Sequence, residues 1–177
     1  MKKPLVFSLA LILIATVSFA QKDKKKIIAD LDAKKDHYKE IAKELWTNPE
    51  LGYLEENSSA LLQSELEKEG FTIEKGVAGI PTAFTATYGS GSPVIGVLGE
   101  FDALPGMSQD AVPFRKARVV DAPGQACGHH LFGTGSMAAA IAAKDYLKES
   151  GKSGTIRFYG TPAEEGGSGK VYMVRAG

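Results

Sequence analysis

Residues 133–159, GTGSMAAAIAAKDYLKESGKSGTIRFY, place a long alanine-rich segment directly before a short β-prone segment. The first part, from Gly133 to Leu147, predicts a helix whose small side chains permit close packing on a sheet. The second part, from Gly154 to Tyr159, predicts a strand. A helix followed directly by a strand is typical of an α/β domain.

The same alternation continues on both sides of this segment. Short β-prone runs predict strands at 71–74, 82–88 and 94–99, with a turn at 89–92, and a further helix is predicted over 168–175. Strands and helices that alternate in this way predict an α/β domain with a partly parallel sheet.

Two amphipathic helices are predicted ahead of the strands. Apolar residues recur at helical spacing from Ile27 to Trp46, and Asn48-Pro49 should end that helix. The second helix should run from Asn57 to Glu69 and stop at Gly70, with three leucines facing inward, Leu61, Leu62 and Leu66. Both helices are expected to be scaffold.

The first twenty residues have the three-part pattern of a secretory signal peptide. Lys2 and Lys3 precede an apolar run over 5–17, and Ser18-Phe19-Ala20 supplies a small-x-small cleavage site. The apolar run is short for a membrane span, so no stable membrane insertion is expected after cleavage. We therefore predict a mature chain that begins at Gln21 and is exported, as a periplasmic or secreted protein.

The charge balance and the cysteine count narrow the function classes. The chain has 21 lysines and arginines against 21 aspartates and glutamates, which argues against nucleic acid as a partner. Cys127 is the only cysteine, so an exported chain of this sequence can form no internal disulfide. Its thiol should then be buried, reactive or bound to a metal.

Polar residues gather in three loops that an α/β domain would bring together. They are EFDALPG at 100–106, QACGHH at 125–130 and TPAEEGG at 161–167. The first and third loops follow predicted strands, and loops at the carboxyl ends of parallel strands form the ligand-binding edge of such a sheet. The stretch 102–125 contains three prolines, and a loop of this length is usually functional or disordered.

Each loop alone is open to a plainer interpretation. Glu164 and Glu165 lie among glycines, where a solvated turn is the common structure, and Asp102 could cap a turn. Cys127 and His129 could ligate one metal ion, or they could be a buried thiol beside a hydrogen-bonded histidine. The combination of the three loops is what favours a site.

The three histidines of the chain differ in context. His37 lies in the lysine-rich first helix, where a solvated side chain is expected. His129 and His130 are adjacent in the second loop. Any imidazole chemistry must therefore come from this pair.

These motifs together resemble the aminoacylase and carboxypeptidase-like metalloamidohydrolases. The resemblance is carried by NPELG at 48–52, GEFDALPG at 99–106, CGH at 127–129, LFGTG at 131–135, FYG at 158–160 and EEGGSGK at 164–170. It covers nearly all of the mature chain, and motifs of this combined length are specific. It implies a zinc-peptidase-like three-layer α/β domain with a mixed, largely parallel sheet.

The resemblance also implies functions for individual residues. Cys127, His129 and Glu165 correspond to metal ligands, and Glu164 corresponds to the general base. Asp102 corresponds to an acidic position beside the metal site, where it would orient an imidazole. Glu100 and His130 are further candidates for positions behind the ligands. The chain departs from the family at Gln125, where relatives commonly carry histidine, and at His130, where they carry asparagine or aspartate.

The activity that the resemblance implies is hydrolysis of the amide bond in a small-molecule N-acyl amino acid. Two divalent ions, zinc or manganese, would activate water, and a glutamate general base would take up and deliver the proton. A cysteine thiolate among the ligands favours zinc or another late divalent ion over magnesium or calcium. The resemblance also implies a homodimer, or an assembly with a heteromeric partner subunit.

Relatives of this kind continue well beyond residue 177. Residues 21–177 are therefore expected to be the N-terminal part of the catalytic domain, without its remaining part and without the smaller domain for dimerisation and closure over substrate. Such a part should show no hydrolase activity alone.

Two other functions stay open at the level of sequence. A module of the same fold could bind a metal or a peptide without turnover. Alternatively, Cys127 could be the nucleophile of a cysteine hydrolase, with His129 or His130 as its base. Chelation would abolish the activity of a metalloenzyme and leave a cysteine nucleophile largely unaffected.

Overall fold

The computed structural model describes residues 23–177, so the predicted signal peptide and its cleavage after Ala20 lie outside the described residues. The chain forms two units, of which the first ends at Lys35 and the second runs from Asp36 to Gly177. The described part of the first unit is helical over 23–33. Over residues 23–177, no helix is both long enough and apolar enough to cross a membrane.

The single helix predicted from Ile27 to Trp46 is wrong, because the backbone turns at Lys34. A new helix, α1, spans Lys35–Thr47, and its end before Asn48 is confirmed. The turn falls in the stretch 32–37, where Ala33 is the only apolar residue. This stretch has little apolar surface to bury, and helices in proteins depend on such burial for most of their stability.

Three more helices belong to the second unit. Helix α2 spans Glu56–Lys68, α3 spans His129–Ser150 and α4 spans Gly169–Ala176. The predicted orientation of the leucines in α2 is confirmed, since Leu62 and Leu66 are buried and Leu61 packs against the same core.

Helix α3 begins at His129, four residues earlier than the predicted Gly133. Gly128 adopts a left-handed conformation with a φ of 98°. Its carbonyl accepts the N–H groups of Leu131 and Phe132 at 2.9 and 3.1 Å. These bonds close the first turn, so part of the second polar loop is helical.

Four strands form one mixed sheet in the order β1-β2-β4-β3. They are β1 Thr72–Lys75, β2 Phe84–Ser90, β3 Val94–Gly99 and β4 Gly154–Gly160. The pairs β1–β2 and β2–β4 are antiparallel, and the pair β3–β4 is parallel. The mixed sheet is confirmed, but the expectation of a largely parallel sheet is wrong for the described strands, because two of their three pairs are antiparallel.

Helices cover both faces of the sheet. On one face, α1, α2 and α3 enclose a core in which the ring of Phe84 stacks on those of Phe158 and Phe101, with centroid distances of 5.7 and 6.3 Å. On the other face, Met173 of α4 packs beside Tyr159 in a smaller apolar cluster. The three-layer α/β architecture is therefore confirmed.

Glu50 caps helix α2 from outside the helix. Its carboxylate accepts the N–H groups of Asn57 and Ser58 at 3.0 and 2.8 Å, and the side chains of the same two residues at 2.8 and 2.7 Å. The first N–H groups of a helix have no partner within it, so this cap satisfies two of them. Burial alone would raise the pKa of Glu50, but these four hydrogen bonds outweigh it and lower the pKa.

We expect Glu50→Gln to lower the free energy of unfolding by about 1–2 kcal/mol at neutral pH, because a neutral amide cannot accept all four bonds. Since the folded-state pKa is lowered, the contribution of the carboxylate is complete above the ordinary value of 4.5 and is lost as the pH falls through the folded value. Urea unfolding of both proteins at descending pH measures this. Glu56→Gln removes a charge from the same helical turn and leaves the cap intact, so an equal loss in that variant would contradict the cap.

Candidate metal centre

The parallel pair β3–β4 sets two of the three polar loops side by side. Gly99 pairs with Gly160 at the ends of the two strands, and the N–H of Thr161 donates to the carbonyl of Gly99 at 2.9 Å. The acidic residues at 100–102 follow β3, and those at 164–165 follow β4. The predicted meeting of these loops at the carboxyl edge of the sheet is confirmed.

The side chain of Gln125 links the second loop to the first through a hydrogen bond. Its Nε2 donates to the carbonyl of Phe101 at 3.2 Å, and its Oε1 accepts the N–H of His130 at 3.1 Å. Gly133, one turn into α3, lies so close to the first loop that a Cβ on it would be 2.6 Å from the carbonyl oxygen of Glu100. The first turn of α3 therefore rests directly on the loop after β3.

Asp102 connects all three loops and is 1% exposed. Its Oδ1 lies 2.9 Å from Nδ1 of His129, and its Oδ2 accepts the N–H of Glu165 at 2.8 Å. Burial alone would raise the pKa of Asp102, but these hydrogen bonds lower it. The bond to Asp102 also raises the pKa of His129. With Nδ1 donating to Asp102, Nε2 is the nitrogen of His129 that is left for a ligand.

Two glutamates lie next to Nε2 of His129. Oε2 of Glu100 is 3.0 Å from this nitrogen and Oε2 of Glu164 is 3.6 Å from it. The second oxygen of Glu100 is 2.5 Å from Nζ of Lys170, a residue that the sequence interpretation missed. Glu100 thus lies in front of the imidazole, and not behind the ligands as the sequence interpretation predicts.

Two overlapping groups of possible ligand atoms share His129. The atoms of Cys127, His129 and Glu165 all lie within 4.8 Å of one another, and Glu100, His129 and Glu164 form a second group of the same size. Oε1 of Glu165 is buried and has no hydrogen-bond partner within the described part of the chain. Such an atom is costly unless something else binds it. Because thiolate, imidazole and carboxylate are zinc donors, the residues present fit a divalent ion.

The thiol of Cys127 is exposed, so the buried-thiol interpretation is wrong. Hydrogen bonding to Glu165 and the charges of Glu165, Glu164 and Glu100 raise the pKa of Cys127. A nucleophilic cysteine requires a lowered pKa, so this setting argues against a cysteine hydrolase. A cation among the same carboxylates would reverse the effect and favour the thiolate.

His130 lies beside the centre and belongs to neither ligand group. Its Nδ1 is buried without a hydrogen-bond partner among residues 23–177. Burial and then the charge of His129 lower the pKa of His130, which favours the neutral imidazole. Its backbone N–H is the group that Gln125 binds, so the two departures from the family are in direct contact.

A segment after α1 supports the loops from behind, and the sequence interpretation missed this function. Leu51 forms a β-bridge with Ala103, next to Asp102. The hydroxyl of Tyr53 donates a short hydrogen bond to the carbonyl of Gly167, behind the two adjacent glutamates. The segment therefore contacts both of the loops that follow β3 and β4.

Glu55 lies in the same segment, after Leu51 and Tyr53, and is completely inaccessible to solvent. Its carboxylate accepts the N–H of Ala163 at 2.8 Å and the hydroxyl of Thr82 at 2.9 Å. Ala163 has a φ of 56°, a left-handed conformation that costs free energy in a residue with a Cβ. Glu55 thus holds a strained residue immediately before Glu164.

We expect Glu55→Ala to speed hydrogen exchange of the Ala163 amide and to lower the free energy of unfolding by about 1–3 kcal/mol, because two buried donors lose their acceptor. Site-resolved exchange and urea unfolding measure these effects. Glu56→Ala, at the next position, serves as the control and should change neither. Unaltered protection of Ala163 in the Glu55 variant would show that this bond does not hold the loop.

Comparison with known sequences relates this arrangement to hydrolases. Over 148 residues the chain is 48% identical to one subunit of the p-aminobenzoyl-glutamate hydrolase of Escherichia coli (strain K12), a match that covers 83% of this chain and 31% of that protein. It is 34% identical to an IAA-amino acid hydrolase of Arabidopsis thaliana, with 77% of this chain and 30% of that protein covered. The chain therefore spans about a third of the length of these relatives.

The fold and a family model agree with these relatives. The structure is similar to that of a dinuclear metal-binding peptidase of the M20 family from Bacillus subtilis, with a TM-score of 0.69, 26% identity and coverage of 82% of this chain and 40% of that one. Residues 96–177, which include both ligand groups, match the model of Peptidase family M20/M25/M40. The chain belongs to this family of peptidases and amidohydrolases.

Proposed function

We propose that this protein hydrolyses the amide bond of N-acyl amino acids at a metal centre. The observation that carries the proposal is the convergence of Cys127, His129 and Glu165 beside the half-exposed carboxylate of Glu164. The hydrolase names of the similar proteins from Escherichia coli and Arabidopsis thaliana support the same class of reaction.

Cys127, His129 and Glu165 would hold a divalent ion. His129 is oriented by Asp102, and the backbone of Glu165 is fixed by the second oxygen of the same carboxylate. When bound, the ion supplies Lewis-acid polarisation of the scissile carbonyl and lowers the pKa of water. A thiolate ligand favours zinc over manganese. We propose two such ions, in agreement with the name of the dinuclear relative from Bacillus subtilis.

Glu164 would be the general base. Its side chain is 41% exposed, whereas that of Glu165 is 17% exposed. The more exposed carboxylate is free to take a proton from the attacking water and to deliver it to the leaving amine. The more buried one is fixed and suits a ligand. The adjacent glutamates would thus divide the two tasks.

We infer p-aminobenzoyl-glutamate, or a related N-acyl amino acid, as the substrate. The inference is supported by the 48% identity to a component of the hydrolase that carries this substrate in its name. That name also describes a subunit, which supports an assembly with a heteromeric partner. A homodimer is the other arrangement that we propose.

In Glu164→Gln we expect the metal to be retained and turnover to fall about a hundredfold or more, as is usual when a general base is lost. Cys127→Ala and Glu165→Ala should lose the metal as well. Elemental analysis after dialysis gives metal content, and turnover of p-aminobenzoyl-glutamate is measured in the longest reading frame that contains this chain. Glu67→Gln, on the exposed side of α2, is the control. Equal metal loss in all three site variants would show that the glutamates are assigned wrongly.

We also propose that the chain is exported and cleaved after Ala20. The proposal is supported by the two lysines, the apolar run and the small-x-small site in residues 1–20. The exported species should begin at Gln21, which intact-mass measurement tests. An exported species that still contains Lys2 would reject the proposal.

A further inference from the structure

A cavity of about 620 Å³ lies between the end of α1 and the loop 106–126. Its walls include Trp46, Pro49, Arg115, Arg118, Asp121 and Gln125. A volume of this size is typical of sites that hold a small organic molecule. None of the groups assigned to catalysis above lines this cavity, so the proposed reaction leaves it without a function.

The basic side chains of this loop differ in whether another residue of the protein forms an ion pair or a hydrogen bond with them. Nζ of Lys116 is 2.8 Å from the carboxylate of Asp110. Arg118 lies 4.6 Å over the ring of Trp46 and donates to two carbonyls at the end of α1. Within the described residues, the guanidinium of Arg115 has neither a hydrogen bond nor an ion pair. Arg115 is exposed, so on the cavity wall its positive charge is solvated and is available to a ligand.

The charge of the whole lining points to an anion. Arg115 and Arg118 line the cavity, and Asp121 is the only acidic residue on its walls, so the described lining carries a net positive charge. The planar fork of an arginine matches a carboxylate, to which it can donate two parallel hydrogen bonds. A carboxylate is therefore the ligand chemistry that this wall fits.

The cavity shares a stretch of chain with the metal centre. Gln125 and Ala126 line it, and the ligand Cys127 is the next residue. Consecutive residues lie about 4 Å apart along the backbone, so the part of the wall formed by Ala126 directly adjoins the residue that carries the thiol. Gln125 also holds the loop before Asp102 through the carbonyl of Phe101. The cavity wall and the metal centre are therefore contiguous along the chain.

We propose that this cavity binds a carboxylate of the substrate and that Arg115 is the residue that recognises it. The inference rests on the proposed amidohydrolase function and deepens it, because it names the cavity and the side chain that would bind the carboxylate of an N-acyl amino acid. The cavity thereby distinguishes an acidic substrate from its neutral amide.

Trp46 makes the test direct, because it is the only tryptophan of the chain and lines the cavity. The longest reading frame that contains this chain, freed of metal by a chelator, is titrated with N-acetyl-glutamate, and the fluorescence change is assigned to Trp46 by its loss in Trp46→Phe. We expect a saturable change in the unaltered protein. Arg115→Gln should weaken binding about tenfold or more, as expected when a charge-assisted bond to a carboxylate is lost. The neutral diamide of N-acetyl-glutamate should give no saturable change.

Two matched variants distinguish recognition of the carboxylate by Arg115 from a general effect of positive charge on affinity. Lys116→Gln removes one positive charge at the next position, outside the lining, and should keep affinity within about threefold. Arg115→Lys keeps the charge but not the fork and should bind with intermediate affinity. Equal affinity in the unaltered protein and Arg115→Gln, equal loss in Lys116→Gln, or no saturable binding by the unaltered protein would each overturn the proposal. Circular dichroism verifies that each variant is folded.

The outcome is distinguishable from a failure of the proposed reaction. The titration contains no metal and requires no turnover, so it does not depend on Glu164 or on the ligands. If Glu164→Gln abolishes hydrolysis while Arg115→Gln binds normally, the cavity proposal is wrong and the reaction stands. If Arg115 behaves as expected but metal binding does not, the cavity remains an anion site and the reaction must be revised.

Discussion

The carboxylate of Asp102 is the interaction on which the metal centre depends. One of its oxygens holds the imidazole of His129 and the other holds the backbone of Glu165, so a single buried charge joins the loop after β3, the start of α3 and the loop after β4. Because the carboxylate is 1% exposed, displacement of either partner would leave one buried oxygen of the charge without that hydrogen bond. The three loops are therefore held in one arrangement, and the acidic residues around His129 stay close together despite their mutual repulsion.

One parallel strand pair is sufficient to build this site. Strand β4 lies between β2 and β3, and its parallel partner β3 ends at the same level, with Gly99 opposite Gly160. The two antiparallel pairs extend the sheet away from the site and contribute Phe84 to the core that supports it. The close approach of Gly133 to the loop after β3 then fixes the height of α3 above the sheet. These backbone contacts thus set the positions of the loops, without a contribution from the ligand side chains.

Much of this arrangement could be predicted from sequence, because periodicity and turn residues act locally. The predicted bounds of helices α2 and α4 and of the strands agree with the structure to within a few residues, and the α/β topology predicts the meeting of the polar loops. The order of the strands could not be predicted, because it depends on pairing between distant segments. The start of α3 depends on Gly128 and on the contacts of Gln125, and the support by Glu55 joins residues 108 apart. Contacts of this kind leave no periodic pattern in the sequence.

The support from the segment before α2 has a consequence for how the chain reaches this structure during synthesis. The bond between Glu55 and Ala163 spans 108 residues, and the bond between Tyr53 and Gly167 spans 114. Helix α2 and the β1–β2 pair consist of neighbouring segments and can form while later residues are still being translated. The loop that carries the two glutamates can be fixed only after residue 167 has emerged from the ribosome. Assembly of the centre is therefore a late, long-range event in the folding of this chain.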